Sequence, residues 1–491
     1  MLYKKNDKIE LDIIDMTKNG LGLAKESGIV FFVKDGIVGD KVLAIITKIS
    51  KNIIYAKTIE IIEKSKYRVD TDCNVSNNCG GCQFLSLNYN KQLELKKNYV
   101  INSLKNIGKF DDEDINYAGI FGMNEPYNFR NKMQIPYAVR KGKIIYGFYA
   151  GRTHYIVEFN KCLIGFHYAE IILEVVKNAL LEYNISVYDE REISGLFREV
   201  MLRKSNTSNE ISITYIINDS NYNRNKSIYK EFDKTIRAKV HKEFANRNIE
   251  LKIVTSTINI NTNNNNVLFG NFNDVLYGAG YINDLIGDVK FHISPESFYQ
   301  INSVITKTLY DKIIEFANFD EKENVLDLYC GIGTISLYIA RYVNRVLGIE
   351  IVKSAINDAK TNAEINNIDN ADFICIDVDK LNEAGYEHSF NVESIKKNFY
   401  DTIIVDPPRK GLSNSAISFI YKLKPQKIIY VSCDPATLSR DLNILCHTTY
   451  EGFNTGYKMD KIANVDMFPH TMHVETIVRL INYEWNICWK I

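Results

Sequence analysis

The residue types best suited to chemistry in this chain are its cysteines and the carboxylates that close its apolar runs. Cys433 stands in "YVSCDPATLSRDL", where a β-type run, "KIIYVS", ends and Asp434 and Pro435 lead into a helix-like segment. A thiol there can be a small buried hydrophobe, a metal ligand, half of a disulfide or a nucleophile. Cys73, Cys79 and Cys82 cluster as Cys-x5-Cys-x2-Cys around "NNCGGCQFL", with Cys162 far downstream. That crowding points to a metal, zinc or iron–sulfur, and Gly80 and Gly81 let the backbone turn tightly around it. The chain has nine cysteines. An odd count without a secretory start argues against a disulfide framework and for metal binding or catalysis.

"VLDLYCGIGTISL" reads as a strand, a glycine turn and a helix. A dinucleotide site wants G-x-G-x-x-G, and here Ser336 occupies the third place. Glu350 ends the next strand, 17 residues after Gly333, where a carboxylate accepts hydrogen bonds from ribose hydroxyls. That geometry serves NAD and S-adenosylmethionine alike. The acidic strand ends favour the cationic sulfonium, which has no pyrophosphate to need the third glycine. Asp377, ending the following strand, suits an adenine amino group. "IIVDPPRKGL" makes a rigid loop from Asp406 to Leu412. Amino-group methyltransferases place an aromatic after a similar run, whereas Arg409 stands here, which argues against methylation of an exocyclic amine. A thiol beside such a cofactor suits uracil C5. Thiolate addition at C6 turns C5 into an enolate carbon able to take a methyl group, after which a base removes the C5 proton. Asp406 is the natural partner for O4 and N3, and "MFPHTMHVETIVRL" offers Glu475, His470 and His473 as bases. A free thiol titrates near ~8.5, so some thiolate is expected at neutral pH.

The elements that must hold these groups divide the chain in three. Residues 1–62 alternate apolar and polar in short glycine-punctuated runs, predicting a β-barrel of about five strands. Residues 63–287 mix the cysteine segment, helices and strands. Within them, "KQLELKKNYVINSLKNIGK" has helical spacing of Leu93, Val100, Leu104 and Ile107. The Asn-rich stretch 218–275 predicts a helix near 225–247 and a mobile loop at 261–266. From 288 onward, strands and helices alternate as a doubly wound α/β sheet, whose ligands bind at the carboxyl ends of strands. The 491 residues include 45% hydrophobic and 24% charged, as in globular proteins. No run approaches the ~18–20 apolar residues of a membrane helix, and the start lacks a signal peptide's apolar region. A cytoplasmic protein with no membrane partner is therefore expected. Net charge is zero, yet residues 1–152 hold an excess of seven positive charges, consistent with a polyanionic partner.

"SPESFYQIN", "VLDLYCGIGTISL", "IIVDPPRKGL", "YVSCDPATLSRDL" and "MFPHTMHVETIVRL", in this order, resemble the RNA uracil-5-methyltransferase family, and the likeness runs from the barrel to about residue 481. The resemblance implies an N-terminal TRAM β-barrel for RNA, a central α+β iron–sulfur domain and a C-terminal Rossmann-like class I methyltransferase domain, with 91–123 packing on the catalytic domain. It implies S-adenosylmethionine contacts from Gln300, Tyr329, Glu350, Asp377 and Asp406. Cys433 is implied as nucleophile, Glu475 as the base for the C5 proton, and Phe298 as a neighbour of the target base. Cys73, Cys79, Cys82 and Cys162 match the [4Fe–4S] ligands of the ribosomal branch. The implied substrate is a loop uridine of 23S ribosomal RNA, flipped from its stack and converted to 5-methyluridine by an enzyme acting as a monomer. The alternative is tRNA, whose specific branch typically lacks both the barrel and the cysteine cluster. The tail "NYEWNICWKI" extends past the usual end and is expected to pack at the surface.

Overall fold

The computed structural model describes residues 3–483, except 152, 265–266, 271, 382–394, 396–398, 448, 451–452 and 455. The tail from 484 onward, with Cys488, lies outside the described residues. The first module is a sheet of six strands: β1 (Lys8–Asp12), β2 (Asp15–Met16), β3 (Gly22–Glu26), β4 (Ile29–Lys34), β5 (Lys41–Ser50) and β6 (Ile53–Glu63), in the order β1-β5-β6-β4-β3-β2. β1 and β2 are halves of one strand bent at Ile13 and Ile14. They pair at opposite ends of the sheet, β1 with β5 and β2 with β3, so the bend closes the barrel. Alternate residues, Leu11, Phe31, Val33, Val42, Ala44 and Ile46, fill its interior, as the two-residue period of a strand dictates. Buried Asp40 accepts the backbone N–H groups of Ile37 and Ser65 and pairs with Arg68. The barrel is thereby tied to the segment carrying the cysteines.

Next come α1 (Tyr89–Asn106) and β7 (Tyr117–Phe121). Asn88 caps α1 by accepting from the N–H groups of Asn90 and Lys91. The buried face of α1 is Gln92, Leu95, Lys96, Val100, Ser103 and Leu104. Ile107, expected on the apolar stripe, is instead the exposed C-cap. The central sheet follows: β8 (Lys132–Arg140), β9 (Lys143–Tyr149), β10 (Ile156–Glu158), β11 (Phe197–Lys204), β12 (Glu210–Ile217), β13 (Lys252–Ile260) and β14 (Phe272–Tyr277), ordered β10-β9-β8-β11-β12-β13-β14. One face packs on α2 (Ala169–Glu182) and α3 (Tyr222–Asn246) around Ile135, Leu202, Ile213, Phe232 and Ile236. Of the mobile loop expected at 261–266, residues 261–264 are described. Asn261 is buried and donates to the carbonyls of Val267 and Leu268, while Arg198 donates to those of Asn261 and Asn263.

The last module opens with the hairpin β15 (Ile282–Ile286) and β16 (Val289–Ile293), whose apolar residues share a core with the sheet that follows. Its elements are α4 (Ser303–Ala317), β17 (Asn324–Leu328), α5 (Thr334–Ile339), β18 (Arg345–Glu350), α6 (Lys353–Ile365), β19 (Ala371–Cys375), β20 (Thr402–Val405), α7 (Asn414–Leu423), β21 (Lys427–Ser432) and α8 (Pro435–His447). A two-residue pair, β22 (Thr449–Tyr450) and β23 (Phe453–Asn454), precedes β24 (Tyr457–Val465) and β25 (Glu475–Asn482). The eight-stranded order is β19-β18-β17-β20-β21-β25-β24-β7. The strands from β19 to β21 are parallel, and β25 runs antiparallel between β21 and β24. β7, from before the central module, pairs parallel with β24 at the edge. Both faces are covered, so the parallel strands are near-continuous apolar runs. The chain winds away from β17 in both directions, which puts the switch point of the sheet between β17 and β20.

Candidate active site

β17 delivers the chain into the turn that would hold a cofactor. Tyr329, Gly331 and Gly333 have φ of 68°, 56° and 78°, the region that favours glycine. A Cβ on Gly333 would lie 2.8 Å from the ring of Phe373, whereas one on Gly331 would meet nothing. The turn is thus packed tightly behind and open in front. Glu350 accepts from the N–H of Gly331 at 3.2 Å and of Val352 at 2.9 Å, which fixes its carboxylate beside the opening with lone pairs to spare. Ser336, in place of the third glycine, donates to fully buried Asp327. Asp377 accepts the N–H of Asp379 at 3.0 Å. The Tyr329 hydroxyl donates to Asp379 at 3.0 Å, and Lys410 pairs with the same carboxylate at 2.6 Å. The glycine turn, the Asp377 turn and the loop after Asp406 are therefore one connected rim. An acidic rim with an open glycine turn fits a cationic nucleoside such as S-adenosylmethionine. Gln300 is buried, and its carbonyl accepts from Asn131 at 2.9 Å. Arg203 donates to the carbonyl of Ser297 at 2.8 Å. Between them Phe298 stands 66% exposed, free to stack on a base.

Three adjacent strands bring the groups expected to react to one end of the sheet. β20 and β21 are parallel, so Asp406 and Cys433 leave the same edge of the sheet. β25 is antiparallel to β21, with Thr476 opposite Ser432, so its first residue, Glu475, comes level with Cys433. Asp406 follows Val405, which is opposite Tyr430, so it lies at the same end of the sheet but two residues short of the level shared by Cys433 and Glu475. Asp434 accepts from the N–H groups of Ala436 and Thr437 at 2.9 and 3.1 Å, starting α8 directly behind the thiol. Thr437 and Arg440 donate to carbonyls of Arg409, Lys410 and Leu412, which fastens the loop after Asp406 to α8.

The electrostatics differ from the expectation of partial thiolate. Burial pushes the Cys433 thiol up to about 12, the Glu475 and Asp406 carboxylates push the same way, and the Arg409 guanidinium opposes them. The thiol is therefore protonated at neutral pH. Burial also raises Asp406 to about 7, helped by Asp327. Glu475 is 4% exposed, its Oε2 has no hydrogen-bond partner, and burial beside Asp406 holds it well above the ordinary range. Of the histidines offered as bases, His470 has both ring nitrogens engaged, with the Gln92 amide and the Pro126 carbonyl. His473 is exposed to the cleft, where desolvation and the Arg409 and Lys96 charges lower it below the ordinary imidazole range. The cleft in front of Cys433 has a volume of about 770 Å³. Lys18 and Lys34 of the barrel, Cys79 and Cys82, and Arg409 and His473 of the catalytic module all line it.

Cys73, Cys79, Cys82 and Cys162 line a separate cavity of about 210 Å³ with Arg130, Phe148 and Phe159. The N–H groups of Gly81 and Gly165 point at the sulfurs of Cys79 and Cys162, each at 3.4 Å, and oppose the burial that raises both thiols above their ordinary range. A Cβ on Gly80 would lie 2.9 Å from the Tyr149 carbonyl oxygen, so only glycine lets the segment lie against that strand end. Among the described residues, no three His, Cys, Asp or Glu side chains converge tightly enough to hold a metal ion.

Gln92 and Lys96, absent from the sequence expectations, reach the loop before Glu475 from α1. Their only trace in the sequence is that they are polar residues one helical turn apart, beside Leu95 on the buried face.

The family described as tRNA (Uracil-5-)-methyltransferase matches residues 231–483. A Bacillus cereus protein named uncharacterized RNA methyltransferase is 38% identical over 481 residues, covering 98% of this chain and 98% of its own. One of the same name from Clostridium tetani is 37% identical over 98% of this chain and 97% of its own. Among solved structures, the Pyrococcus abyssi tRNA (uracil-54, C5)-methyltransferase in complex with S-adenosyl-L-homocysteine superposes with a TM-score of 0.70 and 25% identity. It covers 96% of this chain and all of its own.

Proposed function

The chain belongs to the RNA uracil-5-methyltransferase family, and on that footing we propose that it converts a uridine of 23S ribosomal RNA to 5-methyluridine through a covalent bond from Cys433. The observation that carries this is the convergence of Asp406, Cys433 and Glu475 at one end of three neighbouring strands, beside a cleft framed by the barrel and the cysteine segment. The target base, displaced from its stack, meets exposed Phe298. Asp406, poised near neutrality, takes the thiol proton as Cys433 adds to C6, and the resulting acid donates to O4 of the enolate that forms. S-adenosylmethionine supplies the methyl group to C5 and leaves as S-adenosylhomocysteine. Glu475, ionised at that stage, then takes the C5 proton. The C5–H pair restores C5=C6, the C6–S bond breaks, and the thiolate recovers its proton from Asp406. Tyr329, Glu350, Asp377 and Gln300 are assigned to the cofactor.

The four gathered cysteines are assigned to a [4Fe–4S] cluster, which spaces its thiolates around a larger group than one ion and suits the cavity they line. Protein prepared without oxygen is expected to be brown, with iron and acid-labile sulfide in equal amounts. Colourless protein holding one zinc would remove this assignment. A tRNA substrate is the second reading. The Pyrococcus abyssi structure favours it, because that match spans 96% of this chain and so includes most of the barrel and central module. Those modules therefore do not by themselves separate the two substrates.

Transfer of labelled methyl groups to separate 23S and tRNA transcripts decides the RNA. Cys433→Ala is expected to abolish transfer. Glu475→Gln is expected to accumulate a protein–RNA adduct that survives denaturation. Full turnover by Cys433→Ala would sink the mechanism.

A further inference from the structure

The connection from β24 to β25, residues 466–474, ends on Glu475, and nothing on the Glu475 side chain anchors its Oε2. Its aim depends on how this connection is held. Contacts from α1, from the cysteine segment and from residues 126–127, each more than 340 residues upstream, hold it. From α1, Lys96 donates to Asp466 at 2.5 Å and to the Phe468 carbonyl at 3.0 Å, and the Tyr89 hydroxyl donates to Asp466 at 2.9 Å. Gln92, fully buried, accepts the His470 N–H at 2.9 Å, and its amide nitrogen donates to Nδ1 of the same residue at 3.2 Å. Nε2 of His470 donates to the Pro126 carbonyl at 2.9 Å, which fixes the tautomer. From the cysteine segment, the N–H groups of Gln83 and Phe84, immediately after Cys82, both donate to the His470 carbonyl at 2.9 Å. His470 is held at φ 64°, a strained conformation that persists only where its surroundings enforce it. The ring of Tyr127 stacks on it at 4.8 Å.

We propose that α1 and the cysteine segment clamp the 466–474 connection so that Glu475 meets C5 of the methylated base, with Gln92 and His470 as positioning residues for the proton-removal step. This rests on the assignment of Glu475 as base. The clamp acts after methyl transfer, so its loss should slow release from Cys433 and leave attack on C6 intact. Gln92→Leu is expected to lower turnover about tenfold to a hundredfold, the cost of misplacing a reacting group by around an ångström, and to raise the standing level of protein–RNA adduct.

The test compares ordinary transcripts of 23S RNA and tRNA with the same transcripts made with 5-fluorouridine. Fluorine at C5 cannot leave to a base, so adduct formation on fluorinated RNA needs Cys433 and methyl transfer but not Glu475. Gln92→Leu should form that adduct at the wild-type rate. Equal slowing on both RNAs, or unchanged turnover on ordinary RNA, overturns the proposal. Tyr127→Leu alters a partly exposed ring and keeps the question open to experiment if Gln92→Leu does not fold. It should show the same pattern at several-fold smaller size. Glu475→Gln run alongside separates the two failures. If it traps no adduct on ordinary RNA, the base assignment falls and the clamp with it. If it traps adduct and neither Gln92→Leu nor Tyr127→Leu does, only the clamp falls.

Discussion

Asp327 is sealed under the cofactor turn, where burial raises its carboxyl to about 7. An unfolded aspartate titrates near ~3.9. The folded state therefore holds the proton more tightly, and the stability this gives is full below about pH 4 and lost as pH rises through 7. Asp327→Asn keeps an acceptor for Ser336 and carries no charge. It should match the wild type near pH 4 and be more stable by roughly 1–3 kcal/mol at pH 8. Denaturant melts at the two pH values check this, and a difference independent of pH would contradict it. The side chains assigned to the reaction each lie within a short contiguous motif at a strand end, so their meeting at one end of the sheet was readable in the sequence. Their ionisation was not. The protonated Cys433 thiol follows first from burial and then from Glu475 and Asp406 converging near it, and both are properties of the fold. His470 lies in the same motif as Glu475 yet serves as a structural hub, since its partners come from Gln92 and Pro126.

Among the elements, α1 carries the heaviest polar load in its buried face. Lys96 and Asp466 are each 0% exposed as side chains. Removing one partner strands a buried charge, so Lys96→Met should cost about 3–5 kcal/mol. Adding Asp466→Asn should return part of that loss, and chemical denaturation of the single and double variants measures it. The periodicity of the sequence predicted a helix here with Val100 and Leu104 on its buried face, as found, but missed Gln92 and Lys96, because apolar spacing cannot reveal that polar residues face inward. The alternating strands and helices after 288 were legible because a parallel sheet writes each strand as an unbroken apolar run. Two contributions to that module were not. The hairpin at Ile282–Ile293 alternates like any exposed ribbon, and β7 is a five-residue strand whose partner lies over 300 residues downstream.

For the whole molecule, the cleft joins all three modules, with Lys18 and Lys34 exposed on its barrel wall. Each phosphate that a lysine no longer neutralises should flatten the salt dependence of RNA binding by about one unit of slope. Lys18→Ala with Lys34→Ala should therefore weaken binding across sequences and lower the slope by about 1–2. Titrations at several salt concentrations check this, and a weakened Kd with an unchanged slope would place the lysines off the RNA path. The basic bias of the first third was visible in composition, but only the fold sets those lysines opposite Cys433. The edge position of β7 also has a consequence for how the protein is made. During synthesis α1 and β7 leave the ribosome first, yet their partners in β24 and the 466–474 connection follow some 345 residues later. At about 5–20 residues per second, that is a wait of roughly 17–70 s with Lys96 unpaired and an apolar strand unsatisfied. A fragment beginning at 288 would never receive that edge, so the catalytic sheet is finished only by the part of the chain that was born before it.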